Sequence, residues 1–228
     1  MKVCSLVCQA FLPTCRKHIF GSIVLNDNII ASPTPTHALA LLLFKSPEIA
    51  NYIRKLDYTI ETADLTSPLI QESLKRISRL EFLTVRDYNK TEIDWRHNPL
   101  RPALLHLLHL PTLTHFELAP ITNFVVSDLI PCVNLKSLDI GFNTSMAVTT
   151  EATFPAALPE HPIQLNEFVA SSQTSSAIMK LCTAQRADGQ PIIDFRSLSE
   201  ISVVVESRGE IELFSHCQAL TDVEIYCR

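Results

Sequence analysis

Three cysteines and a histidine crowd the start of the chain. Cys4, Cys8, Cys15 and His18 follow the spacing C-x3-C-x6-C-x2-H. Thiolates and imidazoles are the ligands zinc prefers, but this spacing matches no common zinc module. Projected on a helix at about 100° per residue, the four share an arc with Val7, Phe11, Leu12 and Ile19. Lys2, Ser5, Gln9 and Arg16 lie on the other side. Cysteine packs as a small hydrophobe, so the expectation is the core face of an amphipathic helix, with no metal.

The remaining candidates for chemistry are weaker. His106 and His109 stand at i, i+3 with His115 nearby, but no H-E-x-x-H accompanies them. They read as the edge of a leucine-rich helix. There is no G-x-S-x-G and no local signature around a cysteine. The carboxylate pairs Asp222/Glu224 and Glu210/Glu212 read as surface rather than as acid and base. The four glycines are isolated, which argues against phosphate-cradling loops. No enzyme activity and no cofactor are expected. Trp95, the single tryptophan, reads as a packing anchor in preference to an exposed contact.

Composition narrows the class further. The 228 residues are 46% hydrophobic and 19% charged, which suits a folded core. A net charge of -5 argues against broad nucleic-acid affinity. Seven cysteines without regular spacing suit a reducing compartment, cytoplasmic or nuclear. Gln9 interrupts the one stretch resembling a signal peptide. The run "ALALLLF" at 38–44 is too short to span a bilayer, so no membrane partner is expected.

The elements that would position any site come from an internal repeat. A pattern of apolar-x-x-apolar-x-apolar begins at Phe20, Ile53, Leu80, Leu113, Leu135, Leu165, Leu198 and Leu220. Helix-like segments precede most matches: "HALALLLF", "LIQESLKRI", "PALLHLLHL", "SSAIMKLC" and "EIELFSHC". Each unit reads as helix, turn, strand, and buries its apolar face only by stacking on its neighbours. The spacings, from 22 to 33 residues, centre near the upper range of leucine-rich repeats, about 20–29 residues. "LKSLDIGFN" at 135–143 fits the written consensus. Asn143 there, like Asn28 in "FGSIVLNDN", is expected to bond backbone groups at the bend with its amide. The fold expected is an α/β solenoid of irregular leucine-rich-repeat type, with parallel strands on one face, helices on the other and an N-terminal capping helix. Residues 144–164 break the rhythm and read as an inserted loop.

Side chains alternate along a strand, so the fourth and sixth positions of each pattern should point to the core. The third and fifth should point outward. In the later units those outward positions hold His115, Glu117, Asp139, Glu167, Glu200, Ser202, Asp222 and Glu224. This face is expected to be acidic towards the C-terminus and is the candidate surface for a basic protein segment.

The stretches "SLVCQAFLPTCRKHIFGSIVLN", "LFKSPEIANYIRKLDY", "LPTLTHFEL" and "CVNLKSLDI" resemble the F-box/leucine-rich-repeat-like proteins expanded in mushroom-forming fungi. The resemblance implies that residues 1–20 are the closing remnant of an F-box helix and 21–228 the repeats. In that family the F-box docks on the adaptor of a cullin–RING ubiquitin ligase, and the repeats hold the protein to be ubiquitylated. The opening Leu-Pro portion of the F-box would fall before residue 5. The alternative role is a stand-alone repeat module that binds protein partners without recruiting a ligase.

Overall fold

The computed structural model describes residues 11–25, 34–87, 94–148 and 159–227. The first half runs α1 (Leu12–Phe20), β1 (Ser22–Leu25), α2 (Pro35–Lys45), β2 (Lys55–Thr59), α3 (Pro68–Leu74), β3 (Phe82–Arg86), α4 (Arg101–Leu108) and β4 (His115–Ala119). Then come the strands β5 (Phe124–Val125), β6 (Ser137–Ile140), β7 (Met146–Ala147), β8 (Ile163–Gln164) and β9 (Glu167–Ala170). The chain continues with α5 (Ser175–Thr183), β10 (Ile193–Asp194), β11 (Glu200–Val205), α6 (Arg208–His216) and β12 (Asp222–Cys227).

The result is an α/β architecture around one parallel sheet of eight strands, ordered β1-β2-β3-β4-β6-β9-β11-β12. The spatial order never departs from chain order. Each of the eight six-residue patterns contributes one of these strands, beginning at its third position. The two-residue strands pair separately, β5 with β7 and β8 with β10.

Register explains the core. Leu56, Leu83, Phe116, Leu138, Phe168 and Ile201 lie side by side across the sheet. Two residues further on, Tyr58, Val85, Leu118, Ile140, Ala170 and Val203 form a second row. Both rows are buried with Leu43 of α2, Leu74 of α3, Leu104 of α4 and Leu181 of α5 in one cluster. The helices therefore cover this face. The opposite, outward face carries the residues between the two rows.

Local chemistry sets the helix starts. Pro35, Pro68 and Pro102 sit in first turns, where a missing N–H costs nothing. Thr34 caps α2 by accepting from the His37 backbone N–H at 3.3 Å. Trp95 is buried, and its Nε1 donates to Asp128 Oδ2 at 2.7 Å. Arg101 holds the same carboxylate, Nη2 to Oδ1 at 2.8 Å, so Trp95 is the packing anchor.

Several sequence expectations need correction. Cys15 is buried, but His18 is exposed and Phe11 is 59% exposed. The described α-helix spans Leu12–Phe20, with Pro13 in its first turn, and on it Cys15 faces the core while His18 does not. Cys4 and Cys8 lie outside the described residues, as does Asn28. Glu210, expected at the surface, is buried. Its carboxylate accepts from the Ser207 backbone N–H at 2.9 Å and from the hydroxyls of Ser207 and Ser175. Glu210 thus reaches back to the residue before α6, the carboxylate half of a capping box, and ties that helix start to the start of α5. Burial opposes ionisation, but these bonds hold the Glu210 carboxyl below its usual range.

Two further expectations shift. Asn143 is exposed with φ 58°. It turns the chain by a left-handed backbone that asparagine tolerates, while the neighbouring Thr144 hydroxyl donates to the Leu118 carbonyl at 3.2 Å. The stretch 144–164 is not a single loop, because β7 and β8 occupy its ends. Residues 149–158 of it lie outside the described residues.

Candidate functional site: the outward face of the main sheet

The outward face is built from two rows in register. One runs Lys55, Phe82, His115, Ser137, Glu167, Glu200 and Asp222. The other runs Asp57, Thr84, Glu117, Asp139, Val169, Ser202 and Glu224. All eight residues expected on this face lie in these rows, brought together from β4, β6, β9, β11 and β12.

The two halves of the face differ in charge. Around β3, Arg86 forms ion pairs with Asp57 and, at 2.7 Å, with Glu117. Thr84 also donates to Glu117 at 3.1 Å. Glu117 is therefore tied into an ion-pair network rather than free. Burial works against the Arg86 cation, but its carboxylate partners raise its pKa above the usual value. Beside them, the Phe82 and His115 rings stack at 4.0 Å, with Lys55 Nζ 5.8 Å from the Phe82 centroid. Burial lowers the His115 pKa; Glu167 and Glu81 oppose this and Lys55 adds to it.

From β6 onward the balance is acidic. Asp139, Glu167, Glu200, Asp222 and Glu224 have no cationic partner among the described residues. Among the described residues, Glu224 accepts from Ser202 Oγ and Tyr226 OH, both at 3.3 Å. Burial pushes the Asp139 carboxyl up to about 6, with Glu117 and Glu167 adding and Arg86 opposing. A depression of about 170 Å³ opens where the halves meet, lined by Lys55, Phe82, Thr84, His115, Glu117, Ser137 and Asp139 among others.

Sequence reasoning missed the neutral half, yet its signal was present. Lys55, Asp57, Phe82 and Thr84 occupy the same third and fifth positions in "IRKLDY" and "LEFLTV". Arg86 lies one step beyond the six-residue pattern. The histidines fall apart as a group: His106 Nε2 lies 3.3 Å from the Ile77 carbonyl oxygen and His109 Nε2 2.8 Å from that of Asp128. Among the described residues, no group of three or more His, Cys, Asp or Glu is arranged to hold a metal ion. No helix among them is long and apolar enough to cross a membrane.

The face thus carries the stacked Phe82 and His115 rings beside the Arg86 ion-pair cluster at one end, and carboxylates without ion-pair partners among the described residues at the other. No family model, curated protein or solved structure matches the chain.

Proposed function

We propose that this chain is a protein–protein interaction scaffold, an irregular leucine-rich-repeat solenoid whose outward sheet face holds a basic segment of its partner. The observation that carries the reading is the run of Asp139, Glu167, Glu200, Asp222 and Glu224 without cationic partners among the described residues. Complementary charge of this kind raises encounter rates and selects partners. The repeat reading draws support from one strand per pattern, laid down in chain order. We further read the protein as related to F-box substrate receptors of cullin–RING ubiquitin ligases. What supports this is the resemblance carried by residues 5–26 and 43–58 of the sequence. The alternative is a stand-alone module that binds the same class of partner without a ligase.

Two measurements test this. Wild type should retain a lysine-rich peptide, with affinity falling steeply between about 50 and 500 mM salt. Neutralising Asp139, Glu167, Glu200 and Glu224 together should weaken retention by at least about tenfold, some 1.4 kcal/mol. Retention unchanged by these substitutions would remove the binding reading. A pull-down with purified ligase adaptor, using the chain with and without an N-terminal extension, separates receptor from module.

A further inference from the structure

The depression in the middle of the outward face is walled by β2, β3, β4 and β6. Its volume of about 170 Å³ is well below the roughly 300 Å³ at which small-molecule sites begin. It has room for one side chain, and its walls indicate which. Along the first outward row the order is Lys55, Phe82, His115, Ser137 and Glu167. Lys55 Nζ stands over the Phe82 ring, and Phe82 stacks on His115 with 17° between the ring planes. The stack therefore runs across the strands towards Ser137. A serine side chain is too short to cover a ring, so the stack stops with one imidazole face open beside β6. Thr114 Oγ1, 2.8 Å from His115 Nδ1, helps to hold the ring in place. Burial lowers the His115 pKa, with Glu167 and Glu81 opposing and Lys55 adding. The ring is thus neutral at pH 7 and does not repel a cation.

The second row supplies the charge. Asp139 stands two residues beyond Ser137 on the same face of β6, directly beside Glu117. Arg86 is taken up by Asp57 and Glu117. Asp139 has no cationic partner among the described residues, yet it is partly buried with Glu117 and Glu167 close enough to oppose its ionisation. A cation brought to this point relieves that repulsion, and a partly buried pair is screened less than an open one. Lysine and arginine differ here. A guanidinium is planar, stacks on aromatic faces and donates two parallel N–H groups to one carboxylate. An ammonium brings the charge without the plane.

We infer that the depression takes one arginine side chain of the partner's basic segment, stacked on His115 above Ser137 and paired with Asp139. This inference rests on the recognition role proposed above and adds the residue type that the face selects. The carboxylates from β9 to β12 then attract the segment as a whole, while the depression distinguishes one basic sequence from another.

The probes are two synthetic peptides of equal length and charge, one all lysine and one with a single central arginine. Both are titrated by fluorescence anisotropy against the full chain at about 0.15 M salt. The arginine peptide should bind wild type at least about tenfold more tightly. Asp139→Asn should bring the ratio of the two affinities close to one. So should Ser137→Leu, which fills the space beside His115 without changing the charge. Glu72→Gln, which removes an exposed carboxylate from α3, should keep the wild-type ratio. Equal binding of both peptides to wild type would overturn the arginine site and leave recognition of a basic segment standing. Failure of both to bind would remove that recognition and the arginine site with it. An arginine preference that survives both substitutions would place the selection elsewhere and overturn the inference. Asp139→Asn keeps the shape of the side chain, so it decides the matter if Ser137→Leu fails to fold.

Discussion

At the scale of single residues, two positions test whether the packing is as tight as the geometry requires. A Cβ on Gly141 would fall 2.1 Å from the Ala119 Cβ and 3.1 Å from its Cα. Gly141 therefore allows the chain to leave β6 against the end of β4, and Gly141→Ala should cost about 1–3 kcal/mol by overpacking. The urea midpoint should drop, and adding Ala119→Gly should recover part of the loss; a strictly additive double variant would refute the contact. Asp139 offers a test by pH. Its carboxyl is raised to about 6 by burial and by Glu117 and Glu167, above an ordinary value of about 4. Between these two values the native state holds more protons than the unfolded chain. Stability should therefore fall as pH rises through this window and level off above it. Asp139→Asn should raise stability by about 1 kcal/mol at pH 7.5, a figure reduced for the partial exposure of the site. The gain should vanish near pH 4, and a gain equal at both pH values would rule out titration as its cause.

At the scale of elements, the carboxylate ladder across β9, β11 and β12 should be a net cost in the free protein. Glu200 stands between Glu167 and Asp222. Glu200→Gln should thus stabilise by about 0.2–1 kcal/mol, and more in low salt than at 1 M, where screening acts over about 3 Å. Equal effects at both salt concentrations would trace the gain to something other than repulsion. The strands that build this ladder were legible in the sequence because a period-two apolar pattern specifies which side chains face the core. The third and fifth positions followed directly, which is why Asp139, Glu167 and Glu200 could be placed on one face. What was not legible depends on register between distant segments. Arg86 meets Asp57 and Glu117 across neighbouring strands, 29 and 31 residues away in sequence, and nothing local to Arg86 announces either partner. Glu210 is the opposite case. Ser207-x-x-Glu210 is a local capping signal, obscured by reading Glu210 with Glu212 as a surface pair. Phe11 and His18 failed for a third reason, since a shared helical arc says which side chains point the same way and not how deeply that arc is covered.

At the scale of the whole molecule, the sheet is open and its two ends are not equivalent to its middle. Each inner strand is paired on both sides, and the sheet order begins at β1 and ends at β12. Among the largest fully buried side chains, Tyr58, Leu83 and Phe168 lie on β2, β3 and β9, all inside that order. β12 has no residue classed as buried. Local opening free energy follows buried apolar contact and paired backbone, so protection should be graded along the sheet rather than uniform. Native-state hydrogen exchange should find the slowest amides in β3, β4, β6 and β9. Those of β12 should exchange through a local opening well below the global unfolding free energy. Mild denaturant should leave β12 exchange unchanged while accelerating the inner strands, because a small opening exposes little new surface. If β12 instead exchanged only by global unfolding in the free chain, its edge would not be the low-stability end that the exposed Val223 and Ile225 imply.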